Sequence, residues 1–270
     1  FVAATLRFAL ASAIILPFML KKERGLPRIA RKDLFLILSI SFFGNFLYSI
    51  FLLYGLKLTG ATESGIIAGC APIVTIALAS LFLHEPLGRR KFLGIVLVIL
   101  GISAINLGSQ NTSGGTHSLI GDLLICGSVL CEALWTLLGK AVSPKVSPLA
   151  IAALTTFSGF AMFFPLGIYQ AMGSSFQSLS SSGWFALLYY GSIGTVGAYI
   201  LWYQGIPRVP ASIAGMFAGI IPVSAVLLSS LFLREPFVGT QLLGIFCVLA
   251  ALFCVTTQFS WKRKAEKHTI

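Results

Sequence analysis

The sequence predicts an all-α polytopic membrane protein, an inverted-repeat bundle with nine spanning helices, and three observations predict it. The chain is too apolar for water: 57% of its 270 residues are hydrophobic and 10% charged, with a mean hydropathy of +0.93, whereas soluble domains carry about 25% charge. The apolar residues fall into runs of about 20, the length a helix needs to cross a bilayer. One stretch also occurs twice without a gap. Ala61 to Val98 returns as Ala211 to Val248, and Gly69/Gly219, Pro72/Pro222, Leu81-Phe82-Leu83/Leu231-Phe232-Leu233, Glu85-Pro86/Glu235-Pro236 and Gly94/Gly244 are all 150 residues apart. Duplicated membrane units of this kind build transporters.

The nine runs are Phe1 to Leu20, Leu34 to Leu56, Ala61 to Leu83, Lys91 to Leu107, Leu119 to Gly139, Pro148 to Met172, Trp184 to Gly205, Ala211 to Leu233 and Val238 to Phe259. Lys and Arg concentrate in cytoplasmic loops, and here every second connection is basic. Lys21, Lys22, Arg24, Arg28, Arg31 and Lys32 follow the first run; Arg89, Arg90 and Lys91 the third; Lys140 and Lys145 the fifth; Arg208 the seventh; Lys262, Arg263, Lys264 and Lys267 the ninth. The loops Gly108 to Ser118 and Gly173 to Gly183 contain neither residue, and Lys57 is the clear exception. The pattern predicts a cytoplasmic C-terminus and an external Phe1. The Glu85-Pro86 turn then falls inside and the Glu235-Pro236 turn outside, so the matched units are inverted.

Residues 1–107 read as the first repeat, 119–259 as the second and 260–270 as a basic cytoplasmic tail. Runs five and six stand upstream in the second half where the first half has run one alone, so a helix is expected before Phe1, giving five plus five. The chain begins without Met, consistent with an absent start, and Phe1 to Leu20 lacks the basic lead and cleavage site of a signal peptide.

Composition also excludes. The net charge of +11 is split into short clusters between apolar runs, with no basic face interleaved with aromatics, which argues against nucleic acid. Cys70, Cys126, Cys131, Cys247 and Cys254 lie inside apolar runs without metal-ligand spacing and read as small buried hydrophobes. No cofactor or metal is implied. His84, His117 and His268 fall in loops or the tail and no pair of mid-membrane aspartates exists, so an intramembrane enzyme has no place to assemble a triad or carboxylate pair. A channel is not excluded by one monomer's sequence. The absence of a Walker-type Gly-Lys-Ser/Thr motif leaves a proton or the solute's own gradient as driving force.

Polar residues at membrane depth are candidates for function, since a mid-membrane charge costs about 2.5–3.5 kcal/mol on insertion scales. Glu132 lies 10 residues after Asp122 and 8 before Lys140, about 15 Å and 12 Å along a helix rising 1.5 Å per residue. Ser128, Trp135 and Gly139 share its face. It reads either as a cavity carboxylate that takes a substrate amine or coupling proton, or as a structural carboxyl bonded to a neighbouring helix. Arg7 lies 14 residues before Lys21, about 21 Å along the axis. Its fork of donors suits a substrate carboxylate, or it pairs with Glu63 as a structural bridge, the reading preferred on sequence alone. Tyr199, Trp202 and Tyr203 share one face, with Gln204 beside them, and Ser41, Asn45 and Tyr48 share another. Both sets suit a pocket for a flat amphipathic metabolite, while Tyr203 and Gln204 equally suit an interfacial aromatic belt.

Gly65-x-x-x-Gly69 and Gly215-x-x-x-Gly219 permit close helix approach, and Pro72 and Pro222 bend each helix at the same register, as a rocking element requires. Glu85 and Glu235 read as anchors of their turns.

Three stretches carry a family resemblance: Leu6-Arg7-Phe8; Gly121-Asp122-Leu123-Leu124 leading into Cys131-Glu132-Ala133-Leu134-Trp135-Thr136; and the doubled Pro...Leu-Phe-Leu-(His/Arg)-Glu-Pro...Leu-Gly block. Together they resemble the drug/metabolite transporter superfamily, specifically EamA-type transporters, whose fold is ten helices in two inverted repeats of five. The chain departs from that pattern in lacking the first helix and in carrying Glu132 where an aromatic residue is frequent. The resemblance implies a secondary transporter of a small amphipathic solute in a lipid bilayer, most often an exporter of amino acids or related metabolites from the bacterial cytoplasm across the plasma membrane. Nucleotide-sugars and drugs are the alternative solutes. Oligomeric state is not encoded in any of these features.

Overall fold

The structure, a computed structural model, describes residues 1–25, 29–59, 61–85, 88–108, 118–142, 144–173, 180–233 and 238–267, without side chains at 61, 62, 90, 106–108, 173, 233 and 255–267. Each of the nine predicted runs is a helix. They are α1 (Val2–Glu23), α2 (Arg31–Ser41, Phe42–Leu47 and Tyr48–Leu58), α3 (Ala61–Ala68 and Ala71–Leu83), α4 (Arg89–Gly108) and α5 (Leu119–Ala141). Next come α6 (Pro148–Gly173), α7 (Ser181–Tyr189, Tyr190–Gly197, Ala198–Gly205 and Ile206–Arg208), α8 (Ala211–Phe217, Ile220–Leu228 and Ser229–Leu233) and α9 (Gly239–Lys267).

Seven of these helices are long and apolar enough to span a membrane, and α4 and α9 contain shorter apolar cores, Lys91–Ile105 and Gly239–Cys254. The large residues left on the outside, such as Phe82 at 63% exposure and Phe246 at 73%, are intelligible only with lipid as solvent. α9 runs on to Lys267, so the basic tail continues the last helix. The Glu235-Pro236 turn, Pro86 and most of the two Lys/Arg-free loops lie outside the described residues.

The chain forms two compact units. One comprises Phe1–Leu47 and Leu138–Arg208, the other Tyr48–Leu137 and Val209–Ile270. Each draws on both halves of the sequence: α1, the start of α2, α6 and α7 make the first unit, and α3, α4, most of α5, α8 and α9 the second.

In the first unit α1 packs along α6. Phe163 is fully buried and stacks on Phe8 at 5.8 Å and tilts against Phe46 at 5.2 Å. The Thr5 hydroxyl donates to the Phe163 carbonyl at 3.0 Å, and Gly167 admits Thr5 where a Cβ would collide with it. α1 ends at Arg24, left-handed at φ 55°, followed by Gly25 at φ 135°.

In the second unit α4 crosses α9 backbone to backbone. A Cβ on Gly101 would sit 2.8 Å from the Gly244 carbonyl oxygen and 3.1 Å from the Val248 nitrogen. Val98, Ile102, Ile105, Met216 and Val248 close the core around this crossing. Lipid offers no hydrophobic drive between helices, so such contact depends on fit. Gly244→Ala is expected to cost about 1–3 kcal/mol through overpacking, seen as a lower melting temperature in detergent, whereas Gly239→Ala, with nothing within 4 Å of its Cβ position, leaves it unchanged.

α3 and α8 break within one residue of the same repeat register, at 69–70 and at 218–219. Cys70 N–H turns back to the Ile67 carbonyl at 2.9 Å and Gly219 N–H to that of Met216 at 3.0 Å. Pro72 and Pro222 follow in the next turn, where the missing N–H of a proline is best tolerated. Around the breaks Gly69 abuts Ile102, Gly215 abuts Thr75 and Gly219 abuts Val98.

Three further interruptions among the described residues were not read from the sequence, one of them the π-turn Ser229–Leu233 that ends α8. α2 and α7 each wind into a π-helix, Phe42–Leu47 and Tyr190–Gly197. Adding 150 to the first gives 192–197, inside the second, so the π-segments are repeat-equivalent and Gly44 corresponds to Gly194. Such segments amount to an extra residue in one turn and concentrate at functional sites.

Candidate functional site

The two π-segments and the α1–α6 pair bring a polar cluster together inside the first unit. The Ser41 hydroxyl and the Asn45 amide both donate to the Thr155 carbonyl, at 3.0 and 3.3 Å. The Tyr199 hydroxyl donates to Asn45 Oδ1 at 2.5 Å. Asn45 is 1% exposed and Thr155 fully buried, so these bonds fix the amide's orientation in an apolar surround. Gly159, one turn along α6, lets Phe8 and Asn45 close in: a Cβ there would stand 3.1 Å from Phe8 and 3.2 Å from Asn45 Nδ2.

Arg7 enters the same cluster from α1. Its guanidinium carbon lies 4.2 Å from the centroid of the Phe8 ring and 4.9 Å from that of Tyr190. Cation–π contact of this kind is worth more once desolvated. Arg7 Nε, Ser12 Oγ and Thr155 Oγ1 are buried without a hydrogen-bond partner.

Of the residues singled out in the sequence, Arg7, Asn45, Tyr199 and Tyr203 are thus in one unit. Tyr203 is fully buried, edge-on to Tyr199 at 6.1 Å and next to Gly139, which removes the interfacial-belt reading for it; Gln204 is exposed and Trp202 half-buried. Tyr48 departs from the face expected to join it to Ser41 and Asn45. The intervening π-turn rotates the remainder of α2 by about 100°, and the chain passes into the second unit at Tyr48.

Tyr190, Ser12, Thr155 and Gly159 were missed. Tyr190 precedes Tyr199 by nine residues, two and a half turns at 3.6 residues per turn, hence on opposite sides of a regular helix. Only the wider π winding lets Tyr190 meet Arg7 while Tyr199 meets Asn45. Ser12 was the findable one, four residues beyond Phe8 on one helical face.

Glu132 and Trp135 lie on α5 in the second unit, both half-buried. α5 runs antiparallel to the end of α2, with Gly121 against Thr59, Gly55 against Ile125 and Gly127 against Phe51; the Thr59 hydroxyl donates to Asp122 at 2.6 Å. Continuing that register brings Glu132 level with Tyr48. Beyond it, Leu137 packs on Ala79 and Ala211. Thr136 donates to the Glu132 main-chain carbonyl at 3.2 Å, and no described residue of the unit bonds to its carboxylate. Ser128, on the same face, turns its hydroxyl back to the Ile125 carbonyl at 2.7 Å. Lys57, the topological exception, lies over Tyr54 at 5.7 Å, its stem along apolar surface.

Glu85 does more than shape its own turn. Its carboxylate accepts the backbone N–H groups of Ala211 at 2.6 Å and Ser212 at 3.2 Å, and the Ser212 hydroxyl, capping the start of α8 from the end of α3. Lys91 stands 3.6 Å away. Burial opposes the charge, but the Ser212 hydroxyl, the two N–H groups and Lys91 outweigh it and hold the carboxyl below the usual carboxylate range. A depressed folded-state value means stability that is present at neutral pH and lost as pH falls through that value. Glu85→Gln is expected to cost about 1–2 kcal/mol, as lost caps do, and to flatten the acid side of a plot of melting temperature against pH.

The fold recurs in known proteins. The description "EamA-like transporter family" matches residues 1–107 and again 119–257. The uncharacterized transporter YetK of Bacillus subtilis is 39% identical over 254 residues, 94% of this chain and 77% of that protein. An uncharacterized transporter of Archaeoglobus fulgidus is 26% identical, over 91% of this chain and 87% of its own length. A WAT1-related protein of Arabidopsis thaliana is 25% identical, over 98% and 80%. A crystal structure superposes with a TM-score of 0.77 at 18% identity, over 95% of this chain and 87% of the other, which establishes the shared fold. The chain is a multi-pass membrane protein of the EamA-like transporter family, within the drug/metabolite transporter superfamily.

Proposed function

We propose that the protein is a secondary transporter that exports amino acids or closely related amphipathic metabolites by alternating access. The observation that carries this reading is the Glu132 carboxylate, set mid-helix in α5 with no bond from the described residues of its own unit, at a depth where an idle charge is costly. It takes the solute's amine or a coupling proton. Trp135 and Tyr48 flank it, the breaks at Gly69 and Gly219 with Pro72 and Pro222 let the repeats rock, and Gly65 and Gly215 keep the helices close. The alternation of basic connections supports insertion in a bacterial plasma membrane with the C-terminus in the cytoplasm. A cytoplasmic-only fluorescent reporter fused to the C-terminus is expected to light up, and an exported phosphatase fused there to stay inactive.

The test of transport is counterflow. Proteoliposomes preloaded with unlabelled amino acids are expected to take up a labelled mixture saturably and faster than unloaded ones. Uptake that neither saturates nor responds to loading indicates a channel. No uptake of any amino acid by folded protein redirects the reading to nucleotide-sugars or drugs.

A further inference from the structure

We propose that Arg7 is the carboxylate-recognition residue of this transporter, held in a clamp between the rings of Phe8 and Tyr190, so that a solute without a carboxylate is not carried. The inference rests on the export reading above and names the group by which the solute is held.

Three observations carry it. First, Arg7 is a full charge on a membrane-spanning helix, and no carboxylate among the described residues of its unit pairs with it. Its guanidinium carbon stands over two aromatic rings at 4.2 and 4.9 Å, which are not hydrogen-bond partners of the kind its fork of donors fits, a carboxylate edge-on. Second, the surroundings are polar beyond what the fold needs. Arg7 Nε is buried without a partner, and so are the hydroxyls of Thr155, fully buried, and Ser12, 5% exposed. A buried polar atom without a partner is costly, and three in one helix set mark what a ligand supplies. Third, the cluster is built: Ser41, Asn45, Thr155 and Tyr199 brace one another, and both repeat-equivalent π-segments feed it, through Asn45 and Tyr190. Tyr190 is a positioning residue. It is 53% exposed and tolerates change without loss of the core.

The experiment is counterflow in proteoliposomes with three matched probes: phenylalanine, 3-phenylpropionate, which lacks the amine, and phenethylamine, which lacks the carboxylate. In the wild type the two carboxylates are expected to compete with labelled phenylalanine and phenethylamine is not. Arg7→Gln is expected to raise the half-saturating concentration of phenylalanine about tenfold or more, as losing a charge-assisted bond does, and Arg7→Lys to recover part of it. Tyr190→Leu keeps the fold and is expected to weaken competition by 3-phenylpropionate more than by an uncharged phenylalanine amide. So is Gly194→Ala, whose Cβ would stand 2.7 Å from Tyr190 Cδ2 and push the ring aside.

Competition by phenethylamine equal to that of the carboxylates overturns the clamp and leaves the export reading standing. So does restoration of Arg7→Gln by Glu63→Gln, which would mark a structural pair. Absence of counterflow with every amino acid and every probe, from protein of unchanged melting temperature, overturns both.

Discussion

Glutamine at position 132 is expected to lower counterflow by about tenfold to a hundredfold, the range for losing a bond to a charged group, with little change in melting temperature. The two readouts separate for a physical reason. Glu132 takes no bond to its carboxylate from the described residues of its unit, so the isosteric amide removes no scaffold contact there, whereas Glu85 holds the start of α8 through three hydrogen bonds. Glu85→Gln should therefore lose stability first and activity only as folded protein is lost. Glu132→Asp, which keeps the charge on a shorter arm, is expected to fall between the wild type and Glu132→Gln. Measured across pH, Glu132→Gln should also lose whatever pH dependence the wild type shows if the carboxyl carries the coupling proton. Equal activity of Glu132→Gln and Glu85→Gln at every pH would remove Glu132 from the mechanism.

The helices were legible in the sequence because lipid imposes a length and a composition on every span, and all nine runs became helices, the last continuing beyond its predicted end at Phe259 to Lys267. Where the boundary shifted, a local interaction explains it: α7 starts at Ser181 because the Ser180 hydroxyl accepts the Gly183 N–H at 3.2 Å. The breaks in α3 and α8 were foreshadowed by Pro72 and Pro222.

The long-range contacts were not legible. Glu85 read as part of its own turn, since nothing local reveals that it reaches α8, 126 positions on. Regular helical spacing carried through the π-segment of α2 groups Tyr48 with Asn45, and in α7 it gives no reason to bring Tyr190 to the cluster. A π-segment carries little sequence signal of its own. Here the signal lay in the repeat, which sets glycines at 44 and 194 in equivalent turns.

Deleting Gly194 is expected to abolish transport while the protein still inserts and folds. The deletion removes the surplus residue from Tyr190–Gly197 and lets α7 close into regular α-winding, which turns Ala198–Gly205 by about 100° relative to the helix start. Tyr190 can then no longer keep Arg7 while Tyr199 keeps Asn45. The Thr195 hydroxyl, which now turns back five residues to the Tyr190 carbonyl at 2.9 Å, loses the widened turn it braces. Stability should fall less than activity, because α7 is lipid-exposed along much of its length, with Leu188, Ile193 and Leu201 all on the outside. Re-inserting one alanine at the same place is expected to restore transport in part. Inserting it instead after Gly205, where a Cβ meets nothing within 4 Å, corrects the register of α8 and α9 but not the site, and should leave the variant inactive. Wild-type counterflow from the Gly194 deletion would mean that the paired π-turns serve packing alone, and that the cluster around Arg7 is not where the solute is held.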